Sequence, residues 1–174
     1  LTGGPCRGHS HVARATLVGT LPCNLLGGGR CSVDVTPVVG DNLRGWVETN
    51  SCFEGSMVQH EALLADISSC VPEPEAVAFW WMGQHSFVVR VGDHVIYIDP
   101  YLTPSDARRT PPLLLPEELS NADFVLCTHD HGDHIDPGSV PGIAAAAPEA
   151  IFVAPRTARQ RMLDLSVDEG RLVS

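Results

Sequence analysis

Apolar positions in the second half of the chain alternate between short continuous runs and stretches with helical spacing. Runs bounded by Gly, Pro or Asp are typical of strands, and recurrence at three- and four-residue intervals indicates a helix. The predicted strands cover residues 76–82, 86–91, 94–98, 123–127, 151–154 and 172–173. Helical spacing predicts helices over 58–69 and 156–165 and a helical turn over 117–120. Strands that alternate with helices in this way predict an α/β fold.

The strands 86–91 and 94–98 are separated only by Gly92-Asp93. A glycine at the first position of a two-residue loop suits the type II′ turn of a β-hairpin. Nearly every position of both strands is apolar, and strands of this kind are usually covered on both faces. The sequence therefore predicts a hairpin in an inner layer of the protein.

Residues 1–56 have little periodicity and hold 10 of the 16 glycines. Only Thr16–Leu21 and Cys31–Val39 resemble short strands. We therefore predict an irregular or disordered extension over 1–56, followed by a domain over 57–174. Because the chain begins with Leu1 and its first methionine is Met57, we hypothesise that 1–56 is not natural coding sequence. Equal solubility and melting temperature of a protein begun at Met57 would support this hypothesis, and a loss of either would contradict it.

A zinc site in the first segment is an alternative. Cys6, His9 and His11 lie close together, and Cys23 would supply a fourth ligand. The paired C-x2-C spacing of structural zinc sites is missing, however. Incidental thiols in a loose segment are the favoured interpretation.

The net charge of −10 limits the choice of partners. A protein that grips nucleic-acid phosphates needs a basic face, so we expect no nucleic-acid partner. No apolar run approaches the ~20 residues of a membrane span, and no secretory signal is recognisable at the N-terminus. We therefore expect no membrane partner and a cytoplasmic location, with the six cysteines reduced.

The segment THDHGDHID, residues 128–136, concentrates metal-ligand side chains after the predicted strand 123–127. Its candidate ligands are His129, His131, Asp133 and His134. Imidazole and carboxylate suit zinc, manganese or iron, and so many of them in one loop are costly to desolvate without a cation. Asp136 would end the loop by capping a helix that starts at Pro137, and Pro141 would interrupt that helix. The alternative is a solvated acidic loop that happens to be rich in histidine.

The H-x-H-x-D-H pattern at 129–134 resembles the metal-binding signature of the metallo-β-lactamase fold. Residues 80–102, WWMGQHSFVVRVGDHVIYIDPYL, are similar to the N-terminal hairpin of its L-ascorbate-6-phosphate lactonase-like branch. Residues 111–137 also resemble that branch, and the resemblance extends over about 77–174. It implies the first half of an αββα sandwich, preceded by the irregular N-terminal segment.

The resemblance also implies roles for individual ligands. His129 and His131 would bind a first metal, and Asp133 and His134 would bind a second. Asp133 would be catalytic as well, by helping to orient the nucleophile. Asp99 would accept a hydrogen bond from a ligand histidine and orient it. The alternative for Asp99 is a strand-end turn residue before Pro100.

The turn before the strand 86–91 departs from the family pattern. Gln84 matches the family glutamine, but His85 and Ser86 replace a pair of small residues. His85 could reach the metal pocket. We interpret it instead as an ordinary polar turn residue.

The function implied is that of a metal-dependent hydrolase with two divalent ions, zinc or manganese. Hydroxide held by the metals would cleave a lactone or ester of a small molecule. A phosphodiesterase of the same fold and a non-catalytic, truncated metal-binding product are the alternatives. The family takes further ligands from downstream segments, and no histidine follows His134 here. We therefore interpret the chain as an N-terminal fragment, inactive alone, whose open sheet edge would permit a homo-oligomer.

Overall fold

Eight strands form one mixed sheet in the part of the chain that the computed structural model describes. Described are residues 14–18, 34–37 and 52–174 apart from 75, 109 and 110, with side chains from residue 60 onward. The strand order across the sheet is β2-β1-β3-β4-β5-β6-β7-β8. The strands are β1 (Arg14–Val18), β2 (Asp34–Pro37), β3 (Ala76–Trp81), β4 (Phe87–Val91), β5 (His94–Ile98), β6 (Phe124–Leu126), β7 (Ile151–Val153) and β8 (Leu172–Val173).

The sheet changes character at β5. Neighbouring strands from β2 to β5 are antiparallel, whereas β5, β6, β7 and β8 are parallel to one another. Parallel neighbours need crossover connections. Here α2 (Val140–Ala146) joins β6 to β7, and α3 (Arg159–Asp164) joins β7 to β8. The α/β fold predicted from the sequence is confirmed.

One row of side chains crosses the sheet and forms the centre of the core. Its members are paired from strand to strand and are at most 7% exposed: Trp80, Val88, Tyr97, Val125, Phe152 and Leu172. Helix α1 (Cys52–Ser69) contributes Ile67 to the same buried cluster, α2 contributes Ile143 and α3 contributes Met162. The helices therefore pack on this face of the sheet.

The opposite face of the sheet is only half-buried. It carries a second paired row that is apolar throughout: Phe79, Val89, Ile96, Phe124 and Ile151. The expectation that both faces of the hairpin are fully covered is therefore wrong for the structure described. Apolar content alone does not separate a fully buried strand face from a half-buried one.

The β4–β5 hairpin forms as predicted. Val91 pairs with His94, so Gly92-Asp93 is the whole loop. Gly92 has φ of +55°, a left-handed conformation that glycine adopts without steric cost.

The helix before β3 is longer than predicted. It is α1 (Cys52–Ser69), so the predicted boundary between residues 56 and 57 falls within it. At its C-terminal end, Arg90 Nη1 of β4 donates to the carbonyl groups of Ile67 and Ser68 at 3.2 and 3.1 Å. A cation at a helix C-terminus also complements the helix dipole. The proposed start at Met57 stays a prediction.

Two strands of the N-terminal segment join the sheet. β1 pairs with β3 on one side and β2 on the other, and both overlap the short strands expected from the sequence. The alternative zinc site at Cys6, His9, His11 and Cys23 lies outside the described residues. Among the helices described, none combines the length and the apolar character that a membrane crossing requires.

The start of α2 corrects two predictions. Ser139 rather than Asp136 is the N-cap residue, and Pro141 lies in the first turn of the helix instead of interrupting it. Proline is tolerated there because the first N–H groups of a helix have no intrahelical acceptor. Asp136 instead closes the preceding turn, where its carboxylate accepts from Gly138 N at 3.1 Å.

Candidate metal centre

The histidine-rich loop lies at the carboxyl ends of adjacent parallel strands. It follows β6, and Asp99 follows the neighbouring β5. Backbone bonds continue past both strand ends, from Asp99 N to Leu126 O and from Cys127 N to Val153 O, each at 2.8 Å. Binding sites of open α/β sheets are commonly found at this edge.

Asp99 is the buried anchor of this loop. It is 3% exposed, and its φ is +45°. Its carboxylate accepts from Thr128 N and Thr128 Oγ1, each at 2.7 Å, and lies 2.8 Å from His134 Nδ1. An ionised carboxylate can only accept, so His134 carries its proton on Nδ1. The lone pair of its Nε2 is then on the side of the ring away from Asp99. This contact is the one that the predicted orienting role requires.

His129 and His131 form a close pair. His129 Nε2 lies 3.0 Å from His131 Nδ1, and His129 Nδ1 lies 3.1 Å from Thr128 Oγ1. Because the Thr128 hydroxyl already donates to Asp99, it accepts from His129 Nδ1, which leaves a lone pair on Nε2 facing His131. Two nitrogens that share a tetrahedral zinc ion, each at ~2.0–2.1 Å from it, are about 3.3–3.4 Å apart. The pair is a few tenths of an ångström closer than that, so it would open slightly to hold one cation.

Asp133 and His134 form the second half of the centre, together with His85. One ligand atom from each of these three residues lies within 4.8 Å of those of the other two. The His134 ring stacks on His85 at a centroid distance of 3.8 Å and contacts His129 at 3.7 Å. Of the four predicted ligands, the structure thus groups Asp133 and His134 with His85, while His129 and His131 form the neighbouring pair, which the His129 ring joins to His134.

The sequence interpretation placed His85 in an ordinary turn. The one signal in the sequence is a histidine at a hairpin position where the resemblance leads one to expect a small residue. The contact with Asp133 joins residues 48 apart, so no local pattern contains it.

Neutral imidazoles and carboxylates are chemically suited to a divalent transition metal, and their exposure permits its entry. His85, His129 and His134 are half-buried, whereas His131 and Asp133 are exposed. The centre is therefore open to solvent on the side of His131 and Asp133 and supported by protein on the side of Asp99. Donor type, spacing and access all fit such a cation.

Ser86 connects the His85 turn to Asp99. It is 1% exposed, donates to the backbone carbonyl of Asp99 at 2.6 Å, and accepts from Tyr101 N at 3.1 Å. The turn that carries His85 is thus fixed to the segment that carries the anchor of His134.

Asp136 fixes the far side of the loop. Thr103 donates to it from both N and Oγ1, at 3.1 and 2.7 Å, and Ser139 Oγ donates to it over a short bond. Ser139 Oγ in turn accepts from Leu102 N at 2.9 Å. This buried network joins the segment after Asp99 to the start of α2.

Cys127 is adjacent to the loop but is not suited to bind a metal at neutral pH. Burial, with a smaller contribution from the nearby negative charge of Asp99, raises the pKa of its thiol to about 12, and the positive charge of Arg161 opposes the shift. A thiol must lose its proton to become a good ligand. We therefore interpret Cys127 as part of the core.

Known proteins are similar to parts of this chain. Residues 78–166, just over half of the chain, match the family model described as "Beta-lactamase superfamily domain". A protein of Dinoroseobacter shibae described as "UPF0173 metal-dependent hydrolase" is 39% identical over 59 residues, which cover 31% of this chain and 23% of that protein. A Pyrococcus horikoshii protein described in the same way is 36% identical over 75 residues, which cover 41% of this chain and 30% of that protein.

A third relative, from Cupriavidus metallidurans and described in the same way, is 41% identical over 66 residues, which cover 37% of this chain and 21% of that protein. The chain thus spans less than a third of the length of each of these relatives.

Proposed function

The chain belongs to the beta-lactamase superfamily, and on that premise we propose that it supplies one side of a dinuclear metal centre that hydrolyses a lactone or ester of a small molecule. The observation that carries the proposal is the pairing of ligands at one sheet edge. His129 and His131 are 3.0 Å apart, and beside them His134 is held by Asp99 next to Asp133.

The residues of this chain bind and orient. His129 and His131 would hold one cation, and Asp133 and His134 would hold the other. Asp99 keeps the His134 lone pair directed into the centre. Divalent cations at these positions supply electrophilic activation of water and of the scissile carbonyl group. The exposed Asp133 carboxylate accepts a hydrogen bond from the attacking water and so orients it.

Three histidines and one aspartate favour zinc, with manganese as the second choice, because imidazole suits late transition metals and manganese prefers oxygen ligands. The net charge of −10 supports a small-molecule substrate rather than a nucleic acid.

Metal content tests the site. We expect up to two equivalents of zinc bound by the purified chain, and a loss of one in the H129A/H131A double variant. H94A is the matched control, since His94 is an exposed hairpin histidine away from the loop. Unchanged metal content in H129A/H131A would overturn the assignment of the first cation.

Hydrolysis is tested on the protein encoded by the longest open reading frame that contains this sequence. Sugar lactones, aryl esters and a phosphodiester are supplied separately, with zinc or manganese. We expect turnover of lactone or ester that H129A/H131A abolishes. Turnover of the phosphodiester alone, or turnover that the double variant retains, would contradict the proposal.

A further inference from the structure

We propose that His85 is a third ligand of the cation held by Asp133 and His134, which makes this half of the centre a set of two imidazoles and one carboxylate. The inference rests on the proposed function and adds a residue from a different part of the chain. It also predicts which class of cation the half-site prefers.

His85 lies close to Asp133 and His134. The ligand atoms of His85, Asp133 and His134 lie within 4.8 Å of one another. The His85 and His134 rings are almost parallel, with an interplanar angle of 12°. His85 thus faces the metal loop from the turn between β3 and β4. Because the in-plane lone pairs of parallel rings do not converge, its ring would have to turn out of this stack to share a cation with His134.

The hydrogen bonds of His85 leave one nitrogen available. Its Nε2 lies 2.8 Å from the backbone carbonyl of Asp133. A carbonyl oxygen can only accept, so Nε2 carries the proton and the lone pair is on Nδ1. A ligand imidazole commonly donates its second N–H to a backbone carbonyl in this way.

The turn that carries His85 is constrained. Gly83 has φ of +94° and Gln84 has φ of +49°, the latter a rare conformation for a residue with a side chain. Trp81 Nε1 donates to the carbonyl of Gln84 at 2.8 Å. Strained backbone of this kind tends to persist where a functional side chain needs a fixed position.

The donor set determines the preferred cation. Two histidines and one carboxylate, with a position left open, are the ligands of many catalytic zinc sites. A second imidazole raises the affinity for zinc and cobalt more than the affinity for manganese or magnesium, which prefer oxygen ligands. His85 therefore makes this half of the centre selective for zinc-like cations.

Cobalt titration of the 174-residue chain tests the inference without any activity assay. Visible d–d absorption reports cobalt coordination, and zinc competition gives the zinc affinity. Loss of a residue that only orients a metal ligand costs about 10–100-fold in metal affinity. We therefore expect H85A to weaken the binding of one of the two ions by about 100-fold or more. The d–d spectrum of that ion should change, while manganese binding followed by EPR changes much less.

H85Q separates coordination from positioning. The glutamine amide can still donate to the Asp133 carbonyl, but it lacks the imidazole nitrogen. We expect H85Q to bind cobalt as weakly as H85A, and its melting temperature establishes that it is folded. Wild-type cobalt affinity in H85Q would overturn the role of His85 as a ligand.

The D133N/H134A double variant distinguishes this inference from the proposed function. If it loses one cobalt ion and H85Q does not, the metal centre stands and only the role of His85 is wrong. If D133N/H134A also binds two ions with wild-type affinity, the proposed metal centre itself is wrong. H94A serves again as the matched histidine control.

Discussion

Arg161 of α3 holds the metal loop through the carboxylate of Asp130, with 2.9 Å between Arg161 Nη1 and Asp130 Oδ1. Its other terminal nitrogen, Nη2, donates to the backbone carbonyl of Ile135 at 2.9 Å. One guanidinium group thus contacts the loop at both ends of the segment that contains His131, Asp133 and His134. A planar, two-pronged donor is suited to fixing two acceptors at a set separation.

Replacement of Arg161 by alanine should loosen the metal loop. Without the contacts of Arg161 to Asp130 and Ile135, the loop should sample arrangements in which the metal ligands do not converge. By analogy with other partners that orient ligands, we expect cobalt affinity to fall by about 10–100-fold. Cobalt titration measures this, and calorimetric melting shows how much of the effect is lost stability.

R159A is the matched control for R161A. Arg159 also lies on α3 and pairs with Glu169 at 2.7 Å, but no contact between it and the metal loop is described. Exposed ion pairs of this kind contribute only about 0–1 kcal/mol. Equal loss of cobalt affinity in both variants would contradict a specific role for Arg161.

Asp99→Asn should fold but bind metal poorly. Asparagine tolerates the positive φ of residue 99 and can still accept from Thr128, so the backbone is preserved. With its amide oxygen kept on Thr128 N, asparagine places its amide nitrogen where His134 Nδ1 contacts Asp99 Oδ2. An amide nitrogen cannot accept the His134 proton, and a neutral amide does not compensate the charge of the cation. We expect about 10–100-fold weaker cobalt binding with a nearly unchanged melting temperature. Asp93→Asn, in the exposed hairpin turn, is the control, and equal behaviour of the two variants would argue against an orienting role.

The parts of this structure that were predictable from the sequence are governed by local rules. Gly92 fixes the turn between β4 and β5, and its φ of +55° follows from the same chemistry that predicted it. The pattern at 129–134 places its candidate ligands in one loop irrespective of the rest of the fold. The β-lactamase fold is predicted by a family resemblance, because local patterns do not specify contacts between distant residues.

The contacts missed at the sequence level join distant residues. His85 reaches Asp133 because β5 pairs with both β4 and β6, which places the turn before β4 beside the metal loop. Asp136 was expected to cap a helix, but Thr103, 33 residues earlier, donates to its carboxylate. Neither contact follows from propensity or periodicity, because each depends on how strands are arranged in the sheet.

Gly138→Ala should destabilise the network around Asp136. A Cβ atom at residue 138 would overlap Thr103 Oγ1 and come within 3.3 Å of Thr103 Cβ. Thr103 would have to move and give up its bonds to Asp136. We expect a loss of about 1–3 kcal/mol in the free energy of unfolding, as is usual for overpacking. Chemical denaturation measures this loss.

Gly132→Ala provides the comparison for Gly138→Ala. A Cβ atom at residue 132 would make only an ordinary contact, 3.6 Å from Arg161 Nη2. Its free energy of unfolding should therefore stay within about 0.5 kcal/mol of the wild type, as for most surface substitutions. If the two glycine variants are equally stable, close packing between Gly138 and Thr103 is not a constraint on this loop.

The Cys127 thiol should resist alkylation in the folded protein. It is 3% exposed, and its pKa is raised to about 12, so at pH 8 almost none of it is the reactive thiolate. Iodoacetamide at pH 8, followed by peptide mass mapping, should leave Cys127 unmodified in buffer and modify it fully in denaturant. Because the folded-state pKa lies above the unfolded value near 9, the neutral thiol's contribution to stability is complete below pH 9 and declines as the pH rises toward 12. Rapid native-state labelling of Cys127 would mean that β6 and the start of the metal loop open far more readily than their burial indicates.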